Sequence, residues 1–211
     1  FTEATRADFI RWLALPEKEV KQVLAFWSAL HDIGKATPAF QLKYSPGKEE
    51  LLAEGYSFPN YALGEMQHHS LLSAWIIEDW EGEMGIAPHS AFMNYLFAIG
   101  GHHGSFPNPG NFLDNPNRSA NLGRGKWIKK RSELFEIIRN IFPAPQVNLP
   151  DLSKAEMNSF FLTFSGFVVA ADWISSQDSY FSYLPELIDL DDYCALSNAR
   201  ALVALEKSGW K

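Results

Sequence analysis

Residues 29–41 read Ala29-Leu30-His31-Asp32-Ile33-Gly34-Lys35-Ala36-Thr37-Pro38-Ala39-Phe40-Gln41, and the imidazole and carboxylate side by side at His31 and Asp32 are the most informative pair in the chain. Residues 17 to 30 carry Val20, Val23, Leu24, Trp27 and Leu30 at helical spacing, so the pair is expected at the C-terminal end of a helix. Neighbouring helical side chains point about 100° apart, so both can reach one cation over the helix end, with Lys35 one turn beyond His31 on the same face. Taken alone, the segment is equally a hydrogen-bonded Asp, a His favoured by the helix dipole and a solvated Lys.

The rest of the chain weighs against that plainer account. Five of the six histidines fall in three short motifs, His31, His68-His69 and His102-His103, and Asp172 follows in Ala171-Asp172-Trp173. His69 stands one turn before Ser73 on a helix expected over Gln67 to Trp80, whereas His68 points about a quarter-turn away and reads as surface filler. His102-His103 lie between Gly101 and Gly104, whose backbone freedom lets the chain turn both rings toward one point. Each motif has a structural explanation of its own, but a buried carboxylate without a partner is costly. Cys194 is the only cysteine, so neither a disulfide nor a thiolate zinc site is available within the chain. A histidine and carboxylate set suits Mn, Fe, Co, Ni or Zn better than an all-oxygen Mg cage.

The expected fold is all-α, one domain over residues 1–211. Residues 6 to 15 carry Phe9, Ile10 and Leu13 at helical spacing, and Ser90 to Gly100, Trp127 to Phe142, Glu156 to Ser175 and a C-terminal stretch from Leu196 to Trp210 also read as helix. Glu156 to Ser175 is apolar nearly all round, which predicts a central helix that ends by presenting Asp172. Tyr44 to Tyr61 reads as a surface connection and Phe106 to Gly125 as a long loop, both rich in Pro and Gly, and no alternating strand pattern stands out. No signal peptide and no uninterrupted apolar run of membrane-spanning length is expected, which predicts a cytoplasmic protein without a membrane partner. The net charge of −7 argues mildly against broad attraction to nucleic acid, but bound divalent ions would reverse the local sign.

The order His-Asp, His, His-His, Asp resembles the HD superfamily of metal-dependent phosphohydrolases. Residues 29–41, Gly101-His102-His103-Gly104 and Ala171-Asp172-Trp173-Ile174-Ser175 resemble, more narrowly, the HD nuclease domain of the CRISPR-associated helicase-nuclease of type I systems. The resemblance implies an HD-type helical bundle and a nuclease that cuts single-stranded DNA with two divalent ions. Its partners would be a helicase domain, in the same chain or another, and a CRISPR RNA-guided surveillance complex. It implies that His31, Asp32 and Asp172 hold one ion, that Asp32 lies near or bridges to a second held by His69, His102 and His103, and that Lys35 neutralises or protonates near the scissile phosphate. The family has a further metal-binding histidine upstream, and none precedes His31 here. Either the sequence begins after it, as a piece of a longer helicase-nuclease, or the first metal is one ligand short.

Arg118, Arg124, Lys126, Lys129, Lys130 and Arg131 fall in one stretch with no acidic residue and with Trp127 among them. Arg124, Lys126, Trp127, Lys129 and Lys130 are therefore candidates for tracking a single strand, the alternative being a solvated helix face. The competing functions are an HD phosphohydrolase of a small nucleotide and a catalytically idle protein-docking domain. Gly-x-Ser-x-Gly is absent, which argues against a serine hydrolase.

Overall fold

Trp27 organises the core. In the computed structural model, which describes residues 2–60, 65–87, 89–149, 152–184 and 188–209, its ring is buried among Tyr95, Phe160, Phe161 and Phe164, and its carbonyl accepts from the Tyr95 hydroxyl at 3.0 Å. These rings come from three helices, α2 (Glu17–Ala29), α6 (His89–Gly100) and α10 (Lys154–Ser175). Each buried aromatic contributes roughly 1.5–3 kcal/mol through area removed from water, so this cluster fixes how the three helices stack. In front of α2 stands α1 (Glu3–Leu13), whose Phe9 and Trp12 meet Phe160 edge-on.

The remaining helices close around this frame: α3 (Pro38–Gln41), α4 (Ser45–Ala53), α5 (His69–Glu78), α7 (Pro109–Leu113), α8 (Arg118–Leu122), α9 (Lys126–Ile141) and α11 (Leu190–Lys207). The all-α, single-domain expectation holds, with one addition. Strand β1 (Ile86–Ala87) pairs in parallel with β2 (Val147–Asn148), a two-residue clip too short to show as alternation. Tyr61 and Trp210, the far ends of two expected segments, lie outside the described residues.

Three expectations need correction. Tyr44 to Tyr61 is not all connection, since α4 occupies Ser45–Ala53 with Pro46 in its first turn, where a missing N–H costs nothing. Phe106 to Gly125 likewise contains α7 and α8, the first capped by the Asn108 side chain on the Gly110 amide. Third, α10 is not buried on every side. Its Phe160, Phe161, Phe164 and Val168 face the core, but Leu162 is 62% and Trp173 75% exposed. By length and composition α10 is the one helix among the described residues apolar enough to cross a membrane, although the sequence carries no unbroken apolar run of that length. It begins at a capping box, in which Ser153 and Glu156 satisfy each other's backbone amides.

Candidate metal centre

The chain leaves α2 through a 3₁₀ helix, Leu30–Lys35, so His31 and Asp32 sit on a tighter winding than an α-helical end. Its backbone lies against α5, and a Cβ on Gly34 would stand 2.1 Å from the His69 carbonyl oxygen and 2.7 Å from the Ser73 amide nitrogen. Only glycine allows that approach. The Gly34 amide donates to the Ser73 hydroxyl at 2.9 Å, and the Thr37 hydroxyl donates back to the Gly34 carbonyl at 2.7 Å. The seam brings His69, buried on α5, against Asp32, with Nε2 to Oδ1 at 3.2 Å.

His102 and His103 follow α6. A Cβ on Gly101 would lie 2.5 Å from the Phe106 ring, and Gly104 takes a φ of +83°, so the chain doubles back tightly at this pair. His102 is buried, with Nε2 3.9 Å from Asp32, and His103 Nε2 is 3.0 Å from His69 Nε2. From the last turn of α10, Asp172 reaches to 3.6 Å of His31 Nε2 and accepts from the Ser176 hydroxyl at 3.1 Å. Four separated motifs thus meet at one place. Ligand-type atoms of His31, Asp32 and His102, of His102, His103 and Asp172, and of His68, His69 and His103 lie within 4.8 Å of one another in each trio.

The donor atoms are oriented for a cation. His31 Nδ1 donates to the Ser28 carbonyl at 2.7 Å and His102 Nδ1 to the Ile99 carbonyl at 2.6 Å, which turns both Nε2 atoms inward. His31 Nε2, Asp32 Oδ1 and His102 Nε2 are buried and make no hydrogen bond. Burial works against a charge on His31, but the carboxylates of Asp172 and Asp32, 3.6 and 3.4 Å from its Nε2, outweigh it and push its pKa up to about 9. Burial also opposes the Asp32 charge, yet His31, His69 and Lys35 hold its carboxyl well below the usual range. Burial pushes His102 down to about 4, so its Nε2 lone pair is free at neutral pH. A site that holds a proton on His31 this firmly attracts cations.

The other candidates divide. Lys35 pairs with Asp32 rather than standing over His31, because a 3₁₀ turn eclipses positions three apart. Trp127 is only 2% exposed, with its indole N–H on the Ser57 carbonyl, so its face is not open to a base and its place in the strand-tracking set is withdrawn. Arg131 is buried and donates to the Ala36 and Leu122 carbonyls, and Arg118 is engaged by Glu78 and Asp79. Arg124, Lys126, Lys129 and Lys130 are exposed, with the Lys126 ammonium on the Glu54 carbonyl and both Lys129 and Lys130 near Glu133.

Sequence reasoning passed over two rings beside the centre. His68 packs its ring 4.3 Å from that of His69, and Phe40 meets His69 edge-on at 5.4 Å with the Lys43 ammonium 5.0 Å over its face. For Phe40 the available signal was its place in residues 29–41, and for His68 its adjacency to a ligand-type residue.

The family model described as Cas3, HD domain, matches residues 1–181. The CRISPR-associated endonuclease/helicase Cas3 of Thermus thermophilus is 28% identical over 206 residues, covering 98% of this chain and 22% of that protein. A crystal structure of a CRISPR-associated protein superposes with a TM-score of 0.82 at 27% identity, over 99% of this chain and 23% of that one. The Thermus thermophilus Cas3 HD domain, crystallised in the presence of Ni2+, shares the fold with a TM-score of 0.68 at 24% identity, over 99% of this chain and 76% of that one. The chain spans about a fifth of the length of the curated relatives it matches, 22% and 19%.

Proposed function

The chain belongs to the HD domain family of Cas3, a family of metal-dependent nuclease domains, and from that premise we propose that it hydrolyses phosphodiester bonds of single-stranded DNA with two divalent transition-metal ions. The observation that carries this reading is the convergence of three buried ligand-type atoms without hydrogen bonds, His31 Nε2, Asp32 Oδ1 and His102 Nε2. Buried polar atoms are normally paired, and three left without partners this close together fit a site built for cations. His31, Asp32 and Asp172 would hold one ion and His69, His102 and His103 the other, with Asp32 between them.

Bound divalent ions supply Lewis acidity and an activated water for in-line attack on phosphorus. The protein's share is orientation. The Ser28 and Ile99 carbonyls orient the rings of His31 and His102 with Nε2 inward, the Gly34 seam sets the His69 to Asp32 spacing, and Lys35 brings a positive charge to the phosphate side. Mn, Fe, Co, Ni or Zn suits this nitrogen-rich set better than Mg. The domain would work as the HD part of a longer helicase-nuclease, receiving a strand unwound by the helicase and recruited through a CRISPR RNA-guided surveillance complex.

The test is cleavage of circular and linear single-stranded DNA by chelator-stripped protein resupplied with Mn, Co, Ni or Mg, beside Asp32→Ala. Metal-dependent cleavage that Asp32→Ala lowers by about 10²-fold or more supports the reading. Absence of cleavage with every ion, or activity retained in Asp32→Ala, sinks it.

A further inference from the structure

His68 has a different relation to the cluster from the imidazoles around it. Its Nδ1 lies 3.4 Å from the Ser70 amide nitrogen and 2.9 Å from the Ser70 hydroxyl, so the ring caps the first turn of α5. An amide N–H can only donate, which makes Nδ1 the acceptor and commits its lone pair to the helix. The proton of the neutral ring is then on Nε2. His102 carries the opposite tautomer, because it donates its Nδ1 proton to the Ile99 carbonyl and keeps a lone pair at Nε2, and His31, with Nδ1 likewise on a carbonyl, has only its Nε2 proton to exchange for a cation. One cluster therefore holds imidazoles prepared to accept a cation and one prepared to donate a proton in a hydrogen bond.

The position of the ring makes that difference useful. It stands 4.3 Å from His69 and, edge-on, 4.6 Å from His103, and ring nitrogens of the three residues lie within 4.8 Å of one another. His69 is buried whereas His68 and His103 are exposed, so His68 lies on the solvent side, where a substrate would approach. A third ligand at this point would have to give up its cap on Ser70 and change tautomer. A donor needs neither. Phosphate oxygens beside a metal centre are strong acceptors, and a neutral N–H reaches them without adding charge that would repel the ions.

We propose that His68 is a phosphate-positioning residue, whose Nε2–H donates to a non-bridging oxygen of the substrate phosphodiester beside His69 and His103, and that it is not a metal ligand. The assignment rests on the nuclease reading for its substrate, but the tautomer stands on the geometry of this chain alone.

Two measurements test it. Long-range 15N–1H correlation spectra of the metal-free protein report which ring nitrogen carries the proton. Nε2–H at His68 beside Nδ1–H at His102 is the expected result, and Nδ1–H at His68 overturns the proposal. The second compares wild type with His68→Asn and His68→Ser, both of which retain a capping acceptor for Ser70 and so preserve α5. Metal content by mass spectrometry should be unchanged. Meanwhile kcat/KM on a single-stranded oligonucleotide should fall about 10- to 100-fold, and inorganic phosphate should bind the metal-loaded protein about tenfold more weakly. Loss of an ion would make His68 a ligand, and unchanged kcat/KM and phosphate affinity would make it a cap only; either result removes the proposal. Should wild type cleave no DNA while both variants still weaken phosphate binding, the nuclease reading fails and the donor assignment survives.

Discussion

The Lys35 ammonium rests 2.5 Å from the Asp32 carboxylate, one 3₁₀ turn along the chain, so a cation of the protein already occupies the carboxylate that lies between the His31 and His69 imidazoles. In α-helical winding Lys35 would stand over His31, four residues back. The 3₁₀ winding shifts it to Asp32, and any ion bound there must share that carboxylate with an ammonium.

Removing Lys35 should therefore separate binding from turnover. Lys35→Met is expected to tighten metal binding by about 3- to 10-fold, because a repelling charge and a competitor for Asp32 are both gone. DNA cleavage should fall on the order of 10²-fold, since the phosphate loses its positive neighbour. Calorimetric metal titration beside steady-state cleavage checks this, and unchanged affinity with unchanged cleavage would make Lys35 a solvated bystander.

The raised pKa of His31 sets the pH dependence. A group whose folded pKa is raised contributes stability that is complete below its ordinary value of 6.5 and is lost as pH climbs through about 9. Asp32 and Asp172, held low, act in the opposite sense, and their contribution disappears on the acid side, below the usual carboxylate range. Chelator-treated protein should then show a melting temperature that declines between pH 6.5 and 9, and His31→Gln should flatten that decline. Affinity for the ion at His31 should strengthen over the same interval, roughly tenfold per pH unit, as its binding displaces one proton from His31. Thermal unfolding with and without chelator reads both effects, and a flat affinity profile would place the ion away from His31.

Two glycines make a matched pair. Gly34→Ala forces a methyl group to within 2.1 Å of the His69 carbonyl, and since the neighbour is backbone the seam must open. The expected cost is about 2–4 kcal/mol, together with weakened metal binding as His69 withdraws from Asp32. Gly166→Ala, inside α10 with nothing within 4 Å of its new Cβ, should stabilise by about 0.5–1 kcal/mol. Denaturant titrations of both variants decide the matter; equal effects of one sign would show that close approach at Gly34 does not control the seam.

What the sequence disclosed follows from how each feature is encoded. The long helices were legible because apolar spacing in α2, α6 and α9 repeats over three or more turns, and in α5 over nearly three, and the six candidate ligands because His and Asp seldom cluster by chance. The short helices α4, α7 and α8 were hidden by Pro and Gly, which mark helix starts as readily as loops. The exposed side of α10 was hidden because Leu162 and Trp173 look as apolar as the buried Phe160 and Phe164. The cap formed by His68 was out of reach for a different reason. It depends on which ring nitrogen faces Ser70, and no spacing rule encodes that.

The basic stretch on α9 offers the last prediction, which its packing changes. Trp127 is held by the Ser57 carbonyl and by the rings of Tyr56 and Phe58, so Trp127→Ala should act as a core deletion, costing about 3–5 kcal/mol of stability and leaving the salt dependence of DNA binding as it was. Arg131 bridges the Ala36 carbonyl, just beyond the 3₁₀ helix, to that of Leu122, so its replacement should loosen the His31-Asp32 segment rather than weaken a grip on DNA. That leaves Arg124, Lys126, Lys129 and Lys130 as exposed cations able to follow a strand. Changing Lys126, Lys129 and Lys130 together to Gln should weaken single-stranded DNA binding and flatten its slope against log salt by about 0.7 for each phosphate no longer neutralised. Cleavage of an oligonucleotide too short to reach α9 should be almost unchanged, because the metal ligands stay in place. Binding isotherms at several salt concentrations, run beside the short-substrate assay, separate the outcomes. An unaltered slope would mean that Glu133 already neutralises these lysines, and that the strand approaches the metal centre along another face.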